Sequence, residues 1–426
     1  MISSVLFGAF GILLVIGAPI TVALGMAAMV AFMSIGKDVT TMVQIAYNSV
    51  NSFPVMALPA FILSGALMQG SGISRRLVEI AETLAGNMSG GLATSTVIAC
   101  MFFGAISGSG PATTAAVGML MIPAMVKRGY DKDYASAITA SSGGLGIVIP
   151  PSIPMVIYGV TASESITQLF IAGILPGFVI ASGIIGMNYF RSRKKGYKSH
   201  VDDWSIKKVF VKIKDGFWAL MAPVVILGGI YSGFFTPTEA AIVSIFYTLF
   251  VGIFIYRELK IKSIFKSLDS TTWLSGRVLI ILFTAQAFGR LLVQYKIPDA
   301  IAAWLLAFTG NVYLIWALVI IFLILIGMFM ETLATIMLVT PVLLPVMTSL
   351  GVDPIHFGVV LVMCCEIGFE TPPLGENLFI ASGIGKVSIE EISVKAIPFS
   401  IVQIASVFLV AYIPSLTLWL PKVFGY

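Results

Sequence analysis

The stretch GAISGSGPATTAA, Gly104–Ala116, carries no charge and sits inside long apolar runs, yet it consists largely of small and hydroxyl residues with one proline. Its surroundings set the question. Hydrophobic residues make up 58% of the 426-residue chain, charged ones 11%, and the mean hydropathy is +1.01. Soluble domains carry about 25% charge, and apolar runs here recur from one end to the other near the roughly 20 residues that cross a bilayer. The chain therefore reads as an all-α polytopic membrane protein. Alternating segments of about 10 residues, the mark of a membrane β-barrel, are absent.

The formal net charge of +5 resides mainly in loops and reports orientation rather than nucleic-acid binding. Cys100, Cys364 and Cys365 all fall in apolar segments, as buried thiols do, and suggest neither disulfides nor a metal cluster. The N-terminus lacks the basic region of a cleaved signal and reads as the start of the membrane domain.

Apolar material fills Ser4 to Ile35, with Gly17-Ala18-Pro19 marking a kink in one long span or the turn between two short ones. A segment from Pro54 to Met68 follows, then Arg75 and Arg76. The run from Gly91 to Met125 ends at Lys127, Arg128 and Lys132, so both of its ends face the cytoplasm, as a re-entrant hairpin or an even number of passes allows. Tyr134 to Tyr158 is interrupted by SSGGLGIVIPPSIP, Ser141–Pro154, and Ile166 to Phe190 is a further span. Between Arg191 and Asp215 nine basic residues stand against three acidic ones, which marks a cytoplasmic linker and divides the chain. Spans near Phe217–Ile230 and Thr238–Tyr256 open the second half, and apolar runs continue to Trp419.

A shift of 222 positions lays the first half on the second. It carries Pro123 to Pro345, Gly129 to Gly351, Asp131 to Asp353, Gly146 to Gly368 and Pro150-Pro151 to Pro372-Pro373, and takes Phe61, Ala112 and Thr113 to Phe283, Ala334 and Thr335. Lysines and an arginine flank the first Gly-x-Asp turn, whereas Glu331 to Leu361 contains neither residue type. The charge rule then puts the two turns on opposite membrane faces, which predicts an inverted repeat: residues 1–190 and 216–426, joined by the linker 191–215.

Each half contains two breaks: Ser107–Thr113 and Gly143–Pro151, then Met330–Thr335 and Glu366–Asn377. Within hydrocarbon, non-helical backbone is tolerated only where protein buries it or where it lines a cavity. Hydroxyls and freed carbonyls are hard ligands for small cations, and exposed helix N-termini favour carboxylates. Small residues such as Ser107, Gly108, Ser109 and Gly110 also let helices pack closely, but the matched breaks favour a ligand site. Pro150-Pro151 could merely kink a helix, and Thr113 and Thr335 could bond back to their own helices.

Intramembrane carboxylates are functional candidates: Glu331, at the second hairpin tip opposite Ser109, and also Glu366, Glu370 and Glu376. Glu331 could instead pair with a basic group. Glu239 in FTPTEAA could simply cap a helix, Arg290 could be a substrate counter-ion or a scaffold partner, and His356 and His200 have no partner cluster.

The motifs SGSGPATTAAVG (Ser107–Gly118), MIPAMVKRGYDKDYASAITASSGGLGIVIPPSIPMVIYG (Met121–Gly159), FTPTEAAIV (Phe235–Val243), METLATIMLVTPVLLPV (Met330–Val346) and GFETPPLGENLF (Gly368–Phe379) resemble the large membrane subunit of tripartite ATP-independent periplasmic transporters, the DctM-type M subunit. The resemblance covers nearly the whole chain. It implies a sodium-coupled importer of small organic acids, among them C4-dicarboxylates and sialic acid, in a bacterial inner membrane. It also implies a separate four-helix Q subunit and a periplasmic substrate-binding P subunit. The implied fold is elevator-like, akin to the ion transporter superfamily, with two re-entrant hairpins and discontinuous helices. A moving body would span about 85–160 plus 312–385, with the remaining spans as scaffold.

By the same resemblance, sodium would be held by Ser107, Ser109, Thr113, Gly143, Gly144 and Pro150 in one half, and by Glu331, Thr332, Thr335, Gly368, Thr371 and Pro372 in the other. Substrate would lie among Gly108, Gly110, Pro111, Ser141, Ser142, Pro151, Glu370, Pro373, Glu376 and Asn377. A channel using the breaks as a filter and a proton exchanger using Glu331 as a relay are the competing readings. No nucleotide-binding loop is present, and no nucleophile-base pair suggests an enzyme.

Overall fold

The computed structural model describes residues 2–86, 88–197 and 205–426; His200 and the middle of the basic linker lie outside them. The first half runs α1 (Ile2–Val15), α2 (Ile20–Ser34), α3 (Val39–Val50), α4 (Ala57–Gly70), α5 (Ile73–Ala85), α6 (Gly91–Ser107), α7 (Gly110–Lys127), α8 (Lys132–Gly143), α9 (Leu145–Val148), α10 (Ile153–Ala162) and α11 (Ile166–Lys195). The second runs α12 (Ile206–Asp215), α13 (Phe217–Tyr231), α14 (Pro237–Phe250), α15 (Ile261–Gln294), α16 (Ile297–Phe308), α17 (Val312–Gly327), α18 (Thr332–Ser349), α19 (Pro354–Gly368), α20 (Glu376–Gly385), α21 (Ile389–Tyr412) and α22 (Ser415–Val423). Among the described residues, seven helical segments are long and apolar enough to cross a bilayer, or eight if the pair α12 and α13, bent by 66°, is one span.

The 222-residue shift falls on helix boundaries. It takes α7, residues 110–127, onto α18, residues 332–349, and the first residue of α8 onto the first residue of α19. Packing between halves comes in exchanged pairs: α2 lies on α15 as α14 lies on α4, α7 on α20 as α18 on α10, and α8 on α21 as α19 on α11. Such pairing is what a two-fold relation between the halves produces. One element departs from it. Position 54 is proline, and α3 and α4 are separated there by a short 3-10 turn; at position 276 the counterpart is glycine, and α15 runs unbroken for 34 residues.

Polar caps fix where the helices begin. Ser109, Ser152 and Ser165 accept hydrogen bonds from Ala112, Met155 and Gln168 N–H, while Asp353 accepts from Ile355 and His356. Glu239 is also a capping residue: its carboxylate accepts from the Thr236 N–H at 2.8 Å, and Thr236 Oγ1 accepts from the Glu239 N–H at 3.3 Å. Gly17-Ala18-Pro19 separates α1 and α2, which pack on each other as two short helices.

Apolar burial does not by itself drive helices together in lipid, so close approach at small residues carries much of the association. A Cβ on Gly104 would stand 2.7 Å from Gly146 Cα, and one on Gly368 would stand 2.6 Å from the Gly327 carbonyl oxygen. The same kind of backbone contact thus joins hairpin to broken helix in each half. α11, α21 and α22 also pack with α6, α8 and α19.

Candidate functional site

The first hairpin turns where α6 ends at Ser107. Gly108 takes φ +62°, and Ser109 caps α7 with Pro111 in its first turn. Thr113 Oγ1 donates to the Ser109 carbonyl at 2.8 Å and lies 2.9 Å from Ser107 Oγ. These are neutral oxygens, a donor set that fits a small hard monocation. The second break packs onto this tip: Ile153 N–H donates to the Gly108 carbonyl at 3.2 Å, and a Cβ on Gly146 would collide with the Thr113 hydroxyl. The chain leaves regular helix between Val148 and Ile153, and Pro150-Pro151 is cis.

The second half repeats the arrangement. Thr335 Oγ1 donates to the Glu331 carbonyl at 3.0 Å, the 222-shifted copy of the Thr113 bond. Leu374 N–H donates to the Met328 carbonyl at 3.0 Å, Thr371 Oγ1 donates to Ile367 at 2.6 Å, and Pro372-Pro373 is cis. Thr113 and Thr335 thus bond back to their own helices, the alternative to a ligand role that the sequence left open, and they do so within the breaks themselves.

The N-termini of α7 and α18 converge on a cavity of about 250 Å³. Gly108, Ser109, Gly110, Pro111, Glu331, Thr332 and Glu376 line it, joined by Phe369, Ile62, Leu274 and Arg277. The Glu331 carboxylate is 2.8 Å from Arg277 Nη2 and does not cap its own helix. A basic partner for Glu331 was one of the sequence's own alternatives; its identity was not. Arg290 is exposed and lies 13 positions further along α15, about 20 Å away. The arginine facing the cavity is Arg277. Arg277 stands alone in the apolar run around SGRVLIILF, a signal of the same kind that drew attention to Arg290.

Several of the residues singled out from the sequence do not line this cavity. Ser142 bonds to Ile138 of its own helix at 2.6 Å, and Asn377 Nδ2 donates to the Ala140 carbonyl at 3.2 Å. Ser141, Gly144, Glu366 and Glu370 are buried behind the tips, where Gln403 of α21 donates to Glu366 and to the Ser141 carbonyl. Gln403 gave no sequence signal beyond being an amide in an apolar helix. Pro151 is buried, and Pro373 is exposed outside the cavity lining.

His356 is buried and structural: its Nε2 meets the Ala411 carbonyl at 3.1 Å, its Nδ1 meets Thr417 Oγ1 at 2.8 Å, and Trp316 packs edge-on against it. The three cysteines are buried and free. Among the described residues, no group of three or more histidine, cysteine, aspartate or glutamate side chains could hold a metal ion.

Comparison with known proteins accounts for this architecture. The family description "Tripartite ATP-independent periplasmic transporter, DctM component" matches residues 7–416. The isethionate TRAP transporter permease protein DctMQ of Oleidesulfovibrio alaskensis is 42% identical over 97% of this chain, which spans 66% of that longer relative. The C4-dicarboxylate large permease DctM of Rhodobacter capsulatus is 35% identical over the full length of both proteins, and the sialic acid large permease SiaM of Vibrio cholerae is 35% identical over 89% of each. In fold alone, the chain is similar to the YdaH transporter of Alcanivorax borkumensis (TM-score 0.62, 14% identity, 90% of this chain and 88% of that one). It is similar likewise to MtrF of Neisseria gonorrhoeae (TM-score 0.60, 16% identity, 88% and 83%). From the motifs, the helical architecture and these relatives together, the chain belongs to the DctM family of tripartite ATP-independent periplasmic transporters and is a multi-pass inner-membrane permease, not an enzyme.

Proposed function

We propose that this permease imports a small organic anion, carboxylate or sulfonate, in symport with sodium. The observation that carries the reading is the cavity where two helix N-termini and Arg277 converge. The N–H groups at the starts of α7 and α18 present partial positive charge to an anion, and Arg277 supplies a full one. An incoming carboxylate takes the Arg277 guanidinium from Glu331 in a charge-assisted pair.

Sodium ions at the two tips, among the oxygens of Ser107, Ser109 and Thr113 and of Glu331, Thr335, Gly368 and Thr371, order the breaks. Binding of anion and cation is then mutually reinforcing, because coupling between sites is reciprocal. The body containing both hairpins moves as a unit against α1–α5 and α13–α16 in an elevator motion. The two halves are inserted in opposite orientations. A separate small Q subunit braces the scaffold, and a periplasmic P subunit delivers the anion. Isethionate, C4-dicarboxylates and sialic acid, named for the relatives, are the first candidates.

The test is uptake into liposomes containing this chain with its Q and P partners, measured across sodium concentrations with a panel of organic acids. Accumulation should require an inward sodium gradient. Ser107→Ala and Thr335→Ala should each raise the sodium concentration for half-maximal uptake by about two- to tenfold, the loss of one hydrogen-bond-strength contact. Unchanged sodium dependence in both variants would remove the site assignment, and accumulation driven by pH alone would replace the mechanism.

A further inference from the structure

Behind the hairpin tips, facing α8 and α21, lies a group of oxygens that the transport cycle above does not use. Glu366 at the end of α19 is 0% exposed and Glu370, one turn later, is 2% exposed. Among the described residues, neither carboxylate forms an ion pair with lysine, arginine or histidine. Gln403, also fully buried, donates Nε2 to Glu366 and to the Ser141 carbonyl, which sets its amide against the pair. Among the described residues, Glu366 Oε2, both Glu370 oxygens, Gln403 Oε1 and Ser141 Oγ lack a hydrogen bond of good geometry. The hydroxyls of Ser141 and Ser400 lie close to the Glu370 carboxyl.

Two buried carboxylates side by side without a cation are costly, since each loses hydration and each repels the other. Buried polar atoms without partners are rare enough in native proteins to require a ligand or other cause. Every free atom in this cluster is a hard oxygen, supplied by three separate elements. The position is also singular in the repeat. Gly144 shifted by 222 is Glu366, and the two touch: a Cβ on Gly144 would come within 2.7 Å of Glu366 Oε1. Mates in mutual contact lie at the axis relating the halves, so the carboxylate stands where the two broken helices meet.

We propose that Glu366, Glu370, Gln403 and Ser141 form a buried cation site, distinct from the hairpin tips, that takes a hard oxygen-seeking cation stripped of water. The bound ion neutralises the acid pair and pins the two broken helices to each other. The site stands on these contacts alone and does not depend on sodium symport.

The experiment uses the complete complex in nanodiscs without organic acid, and follows direct binding of radioactive sodium and, in a second arm, calcium. Wild type should bind at least one cation per chain that Glu370→Gln does not, in one arm or the other. Ser141→Ala, which leaves both carboxylates in place, should raise the half-saturating concentration of that ion about three- to tenfold. Should Glu370→Gln fail to fold, the Ser141→Ala titration decides. Equal stoichiometry and affinity for both ions in wild type and the folded variants overturns the site, whatever the uptake assays show about the hairpin tips.

Discussion

The two hairpin tips share a backbone and differ in chemistry. α7 and α18 have the same length, and each begins with a threonine hydroxyl bonded to the carbonyl four residues back. Yet the first tip is uncharged, with Ser107, Gly108 and the Pro150-Pro151 step all buried, while the second carries Glu331, exposes Phe329 at 69% and leaves Pro372-Pro373 exposed. One pair of positions accounts for most of the difference: Ser109 and Val55 in the first half are Glu331 and Arg277 in the second. The repeat fixes where the chain breaks. Individual substitutions then decide which break meets a charged ligand.

The largest effect should come from erasing that difference. Arg277→Gln removes the cavity's guanidinium, and the loss of a charge-assisted bond of about 1.5–3 kcal/mol should lower kcat/KM for anion uptake roughly 10- to 100-fold. Thr113→Ser, at the uncharged tip, should leave it within about twofold because the hydroxyl is retained. Wild-type uptake by Arg277→Gln would mean that the charged tip does not bind substrate.

The glycine contacts test the shared part. Gly146→Ala drives a methyl into the Thr113 hydroxyl and Gly368→Ala drives one into the Gly327 carbonyl; overpacking of this kind costs about 1–3 kcal/mol. Both should lower the Tm of the purified complex by similar amounts. A harmless Gly368→Ala beside a damaging Gly146→Ala would show that the second, more open half relaxes where the first cannot.

The smallest effect should be at the turn before α8. Asp131 lies 3.3 Å from Lys195, with its side chain 49% exposed, and the Tyr197 hydroxyl, followed by Lys195, holds its carboxyl below the usual carboxylate range. A lowered folded-state value means that its contribution is complete above the ordinary carboxylate range and is lost as pH falls through the lowered one. Exposed pairs contribute little, so Asp131→Asn should cost less than about 1 kcal/mol at neutral pH and nothing in strong acid. Thermal melts across pH check both magnitude and sign.

Much of this was legible in the sequence because it is local or periodic. Spans follow from hydropathy, breaks from glycine and proline, and the register of α7 on α18 from Gly129-x-Asp131 and Pro150-Pro151. What was not legible depends on contacts far apart in the chain. Arg277 meets Glu331 across 54 positions, and Gln403 meets Glu366 across 37. Neither spacing repeats in the other half, so the sequence pointed to Arg290 and not to Arg277, and it gave no sign that Gln403 would meet Glu366 and Ser141. The continuity of α15 turns on the absence of one proline, which a matched repeat does not foretell.

The exchanged packing has a consequence for biosynthesis. α10 has its partner in α18, and α18 begins 170 positions after α10 ends, at Ala162 and Thr332. At about 5–20 residues per second, roughly 10–30 s of synthesis separates the two, and α8 waits longer still for α21. Throughout that interval the first half sits in the membrane with a polar, glycine-rich face and no second wall. Lipid, the insertion machinery or a chaperone has to cover that face until the rest of the chain arrives.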